Sequence, residues 1–183
     1  DVIAIHQEYV WQGADMWRAE LHFYANDGTG VFAAPEVLWS LGPEFQVSVY
    51  QLMTFPQQDG SSEIVVLRWA SENTHTMIHR LTRTGPNAVT QHTQDIGDID
   101  NICPADVDGD GDDDLLANTF QTSELLLFAN EGWGDFDLQG AIWSDNGFNP
   151  GTLVADLGND GDQDVIGLDV DRARTFLNDG SGD

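Results

Sequence analysis

Ala105-Asp106-Val107-Asp108-Gly109-Asp110-Gly111-Asp112-Asp113-Asp114-Leu115-Leu116 is the stretch whose reading decides the fold. Six of the nine residues from 106 to 114 are aspartates, and an apolar run follows at once. The pattern returns fifty residues later as Ala155-Asp156-Leu157-Gly158-Asn159-Asp160-Gly161-Asp162-Gln163-Asp164-Val165-Ile166. Ala105, Asp106, Asp110, Gly111, Asp112 and Asp114 each recur at that offset. Self-similarity at a fixed period in this range marks an array of small supersecondary units, none of which buries its apolar face alone.

Working outward, a second word follows each loop. It reads Phe128-Ala129-Asn130-Glu131-Gly132-Trp133-Gly134-Asp135-Phe136 after the first and Phe176-Leu177-Asn178-Asp179-Gly180-Ser181-Gly182-Asp183 after the second. Tyr24-Ala25-Asn26-Asp27-Gly28-Thr29-Gly30-Val31-Phe32 is a third copy. Asp1-Val2-Ile3-Ala4 matches Asp114-Leu115-Leu116-Ala117, so Asp1 reads as the closing residue of a loop. A decayed copy spans about 45–90. There Asp59-Gly60-Ser61-Ser62-Glu63 stands where an acidic loop belongs and Ile64-Val65-Val66-Leu67 follows it. Most loop carboxylates are missing from that copy, which predicts no metal there. The repeats fall at approximately 1–44, 45–94, 95–144 and 145–183, within a single region, and both ends read as cuts through a longer array.

The elements are short strands. Ile64–Trp69, Thr74–Leu81 and Glu124–Ala129 are apolar or alternating runs of β-formers, bounded by Gly, Asn, Asp and Pro. A helix over Asp15–Ala25 is the alternative raised by Trp17, Leu21 and Tyr24, but the turn word that follows favours a strand. Four to five turn-separated strands in about fifty residues is the period of a β-propeller blade. The expected class is all-β, with about four such blades.

The acidic loop points to calcium. This hard cation takes about six to eight oxygens at roughly 2.3–2.6 Å. Asp106, Asp108 and Asp110 alternate, so their side chains can point inward, and Gly111 allows the sharp turn that follows. The Asp112 carbonyl and Asp114 would complete the ring. An ion-free turn is the competing reading, but each close carboxylate pair would then cost on the order of 1–4 kcal/mol. An EF-hand is disfavoured, because about twelve residues in it needs a bidentate Glu, and Ala117 stands there. In the second loop Gly158 replaces an inward Asp, leaving Asp156, Asp160, the Asp162 carbonyl and Asp164 to bind more weakly.

Composition bounds the rest. Acids number 32 against six bases, all arginine, for a net charge of −26. Such a surface repels nucleic acid and anionic membranes. No apolar run approaches the roughly 18–20 residues that span a bilayer. The acidity suits an extracellular, calcium-containing medium, and the absence of Lys also fits a saline or marine one. Cys103 is alone, so no intrachain disulfide forms and a metal is the available staple.

The two words together resemble the FG-GAP/VCBS repeat of integrin-α-like β-propellers. The resemblance is tight over 101–137 and 152–183, good over 1–32 and faint over 45–90. It implies calcium-binding blades, with Asp106, Asp108, Asp110, the Asp112 carbonyl and Asp114 as ligands in the hairpin between the first two strands. It also implies a secreted or cell-surface adhesion module. Partners would be other proteins or extracellular glycans, and further blades or subunits would complete the assembly.

Two other functions compete. Six tryptophans (11, 17, 39, 69, 133 and 143) could serve a carbohydrate-binding module or the non-catalytic part of a polysaccharide-acting enzyme, with Trp133 the best placed, inside a Gly-rich turn. Five histidines (6, 22, 75, 79 and 92) could serve an enzyme, with His75 and His79 on one strand face. No nucleophile elbow, zinc-protease helix or phosphate-binding Gly loop accompanies them, and the chain reads as non-catalytic.

Overall fold

The computed structural model describes residues 1–11, 15–45, 48–56, 62–70, 75–86, 88–119, 121–130, 135–144, 151–168 and 172–180. Among them there is no helix, and four antiparallel sheets follow one another along the chain. The first holds β1 (Val2–Trp11), β2 (Asp15–Tyr24) and β3 (Glu36–Phe45). The second holds β4 (Ser48–Pro56), β5 (Ser62–Ala70), β6 (His75–Gly85) and β7 (Ala88–Asp95). The third holds β8 (Ile99–Ala105), β9 (Asp114–Thr119), β10 (Glu124–Ala129) and β11 (Asp137–Ser144). The fourth holds β12 (Gly151–Ala155), β13 (Asp164–Leu168) and β14 (Ala173–Phe176). In every sheet the spatial order is the order of sequence, the up-and-down pattern that short turns enforce. The Asp15–Tyr24 segment is a strand, paired to β1 from Val2↔Tyr24 to Trp11↔Asp15. Ala19 and Leu21 are both buried, which is the period of two that a strand requires.

Burial falls off across the third sheet in the way the residue types dictate. β9 is buried at every position, β10 alternates, and β11 is mostly exposed. Leu115-Leu116-Ala117 is a continuous apolar run, suited to a strand covered on both faces. β7, Ala-Val-Thr-Gln-His-Thr-Gln-Asp, is polar and exposed, as an edge strand must be to resist further pairing.

The chain divides into two compact units, one made of Asp1–Thr54 with Glu63–Gly97 and the other of Phe55–Ser62 with Asp98–Asp183. The first is built on Ala19, Leu21, Leu38, Trp39, Val49, Ile64, Val66 and Leu81. The second is built on Ala105, Leu116, Leu125, Leu127, Trp143 and Val165, with the half-buried Cys103 packed against them. Each fully buried aliphatic side chain contributes about 1.5–3 kcal/mol. In the second unit the Trp143 indole lies so close to β13 that a Cβ at Gly167 would meet it at 2.6 Å, so only glycine fits there. Phe136, the aromatic that ends the second word, is buried edge-on to Phe55, 6.0 Å between centroids.

Candidate metal centre

The first acidic loop connects β8 to β9, whose ladder ends at the pair Ala105↔Asp114. Its aspartates fold the backbone around themselves. Asp108 Oδ1 accepts the Asp110 N–H at 3.2 Å, and Asp110 Oδ1 accepts the Asp112 N–H at 2.9 Å. Asp106 Oδ2 accepts the Gly111 N–H, also at 3.2 Å. Gly109 and Gly111 have φ of +75° and +96°, backbone that a side chain would strain. The result is that Asp106, Asp108 and Asp110 each present a carboxylate oxygen within 4.8 Å of the other two. Asp106 Oδ1 is buried and has no hydrogen-bond partner. Three anionic oxygens this close are a donor set for a hard cation.

The carboxylates of Asp112 and Asp114 do not join this cluster. Asp112 is buried. Asp114 is 3% exposed, and its two oxygens accept the N–H groups of Val107 at 3.0 Å and Asn130 at 2.8 Å. Burial pushes the Asp114 carboxyl up to about 6, against the lowering pull of those two N–H groups, and Asp108 and Asp110 add to the rise. Burial also raises Asp113, helped by Asp106 and Asp112. The first loop therefore holds its negative charge under strain, which a bound cation would relieve.

The second loop joins β12 to β13 with the same backbone course. Asp156 takes the N–H groups of Asp160 and Gly161 at 3.2 and 3.1 Å, and Asp160 takes that of Asp162 at 3.4 Å. Asn159, at φ +55°, occupies the left-handed position that Gly109 fills in the first loop. At Gly158, where the first loop has Asp108, a Cβ would lie 2.9 Å from an Asp160 carboxylate oxygen. The Asp160 carboxylate thus leans over the space that a side chain at 158 would take. Asp164 accepts three N–H groups, from Leu157, Gly158 and Asn178, and those from Asn178 and Leu157 hold it below the usual carboxylate range. Asp114 is thus driven up where Asp164 is held down.

One hydrogen bond recurs at the three Asn-x-Gly-x-Gly words. The Asn that opens the second word donates its backbone N–H to the carboxylate that closes the loop. The pairs are Asn26 to Asp1 at 2.9 Å, Asn130 to Asp114 at 2.8 Å and Asn178 to Asp164 at 2.8 Å. Asp1 therefore makes the bond that a loop-closing aspartate makes in the other copies. From the sequence these asparagines read only as turn residues. Their distance from the aspartate varies (25, 16 and 14 residues), so no fixed spacing betrays the pairing. Two further bonds tie the loops to each other: Asp106 N–H to Gln163 Oε1 at 3.1 Å and Asn178 Nδ2 to the Val107 carbonyl at 2.6 Å.

Elsewhere the candidates separate. In the decayed copy Glu63 is buried and its charge is met by Arg80, 2.6 Å away, with Thr82 on the other oxygen at 3.1 Å. Asp59-Gly60 lies outside the described residues, as do Trp133 and Gly182-Asp183. Trp39 and Trp143 are buried and offer no platform for a sugar ring. His75 is exposed against Asp95 at 2.7 Å, while His79 is buried. Burial pushes the Cys103 thiol up, which makes it a poorer nucleophile. No protein-family model matches the chain, and no curated protein or solved structure matches it significantly.

Proposed function

We propose that this chain is a run of calcium-stapled β-propeller blades of the FG-GAP/VCBS type, serving outside the cell as a structural or adhesive binding module rather than as an enzyme. The observation that carries the reading is the convergence of Asp106, Asp108 and Asp110 on a common point at the tip of the first hairpin of a four-stranded sheet. Those three carboxylates would hold the ion, with the Asp112 carbonyl and Asp114 beside them. The second loop, short of one carboxylate at Gly158, would bind more weakly. Support comes also from four consecutive up-and-down sheets and from the Asp–Asn bond repeated in three copies.

Bound calcium supplies charge neutralisation and a rigid hairpin, so its binding energy becomes folding energy. The partners are other proteins or extracellular glycans, gripped by loops that the ion holds in one shape. Thermal melting in calcium and in excess chelator tests the staple. The expected result is a marked fall in melting temperature on chelation, with Asp108→Asn melting low in both buffers. Identical melts in calcium and chelator would overturn the reading.

A further inference from the structure

Among the described residues, most of the large hydrophobic side chains left exposed belong to the first and last sheets. Val2, Val31, Phe32 and Val37 lie on the first sheet or its turns, and Leu153, Leu157, Leu168 and Leu177 on the fourth or its turns. The other two, Leu138 and Ile142, lie on the edge strand β11, and the second sheet has none.

How such a face is covered is seen where the third sheet meets the fourth. Leu116 and Leu127, opposite each other in their ladder, pack with Val165, and Cys103 and Phe176 join them. Thr152 Oγ1 donates to Asn118 Oδ1 at 3.1 Å across the same junction, and Asn178 Nδ2 donates to the Val107 carbonyl at 2.6 Å. The fourth sheet thus offers Val165 and its ladder neighbour Phe176, and the third receives them on the face of Cys103 and Leu116.

The repeat supplies the counterparts of both halves. Fifty residues on from Cys103, Val107 and Leu116 stand Leu153, Leu157 and Ile166. Leu153 faces Ile166 in the ladder as Cys103 faces Leu116. Val154 and Val165 pack toward the third sheet, so Leu153 and Ile166 lie on the opposite face of the fourth, where Leu153 is 55% exposed. Val2 follows Asp1 as Val165 follows Asp164, and it faces Tyr24 as Val165 faces Phe176. Ile3 and Ile5 pack into the core of the first unit, so Val2 lies on the outer face, 44% exposed. Asn26 is the counterpart of Asn178. Its Oδ1 accepts the Gly28 N–H as Asn178 Oδ1 accepts that of Gly180, but its Nδ2 makes no hydrogen bond to a described residue. Each bare face is one half of a junction that the molecule already makes.

We propose that copies of this chain associate head to tail, the Leu153–Ile166 face of one receiving the Val2–Tyr24 face of the next. Asn26 Nδ2 then bonds the Leu157 carbonyl of the other copy. A second copy is the fitting occupant because its first sheet carries, in the order of the repeat, the residues that the fourth sheet presents to the third. The contact is heterologous, with different surfaces on the two partners. Apolar burial drives it and the net charge of −26 opposes it, so salt strengthens it. The proposal rests on the repeated sheets of the proposed blades and not on their calcium.

Sedimentation equilibrium of the full chain, in calcium and high salt, tests it. Species of two or more copies are expected, growing with protein concentration. Leu153→Glu and Val2→Glu, both exposed substitutions, should each weaken association about tenfold or more, while Leu138→Glu, equal in charge, should not. Mixed together, the first two variants should pair one to one through the face each keeps intact. A chain that stays monomeric at every concentration would give the two faces to some other partner and overturn the proposal. Association that survives either variant, or variants that do not pair when mixed, would overturn it as well. A failure of the calcium reading shows elsewhere, as identical melts in calcium and chelator.

Discussion

A buried carboxylate needs an answer, and this chain supplies two kinds. Glu63 precedes the apolar run Ile64-Val65-Val66 as Asp114 precedes Leu115-Leu116-Ala117, and both are almost wholly buried. Glu63 meets a fixed internal cation, Arg80, itself 3% exposed at the side chain. Asp114 meets only backbone N–H groups, and its carboxyl rises. Removing one partner of a buried pair leaves an uncompensated charge, at a cost of about 3–5 kcal/mol. Arg80→Ala should therefore lose stability on that scale in urea unfolding, and a loss below about 1 kcal/mol would contradict it. The sequence exposed the shortage of carboxylates in this copy. It did not expose Arg80 as the partner, because the pairing depends on the β5–β6 register, in which Val65 faces Arg80.

Neighbouring strands of the first unit meet in a polar network centred on the buried His79 of β6. Arg68 of β5 donates its Nε–H to His79 Nε2 at 2.8 Å, so the ring proton sits on Nδ1, 2.9 Å from Thr93 Oγ1 of β7. Gln91 of β7 bridges outward, donating to Thr93 Oγ1 at 2.8 Å and accepting the Trp39 indole N–H of β3 at 2.6 Å. Burial, with the Arg68 charge beside it, pushes the His79 imidazole down to about 4. The unfolded chain takes up this proton near its ordinary value of 6.5 while the folded one resists it, so stability is lost as pH falls from about 6.5 to about 4. The slope approaches 1.4 kcal/mol per pH unit for one proton. Unfolding free energies between pH 7 and 4 should fall less steeply in His79→Gln than in the parent, and equal slopes would exclude this role. From the sequence His75 and His79 read alike, on one strand face. Burial divides them, since His75 stands at the exposed start of β6 and His79 in its covered centre.

At the level of the whole molecule, charge dominates. A net −26 on 183 residues, with no Lys, is self-repulsion spread over the entire surface. Raising monovalent salt from about 0.01 M to about 1 M shortens the screening length from about 30 Å to about 3 Å. The melting temperature should rise over that range in chelator as well as in calcium, and a melt insensitive to salt would show that the surface acids are not repelling one another appreciably. The all-β class was legible because alternation and turn residues act locally. The acidic triad was legible for the same reason, since Asp106, Asp108 and Asp110 lie within five residues. The His79 network and the Asp–Asn bonds were not, because each joins strands or turns whose register only the folded chain sets.

The recurring Asp–Asn bond also bears on how the chain folds. Each closes a segment of only 14 to 25 residues, from the foot of one strand to the turn after the next strand or two. Contacts of such short range cost little chain entropy to form and favour rapid folding. Each such segment can therefore fasten itself before more distant parts of the chain have found their places.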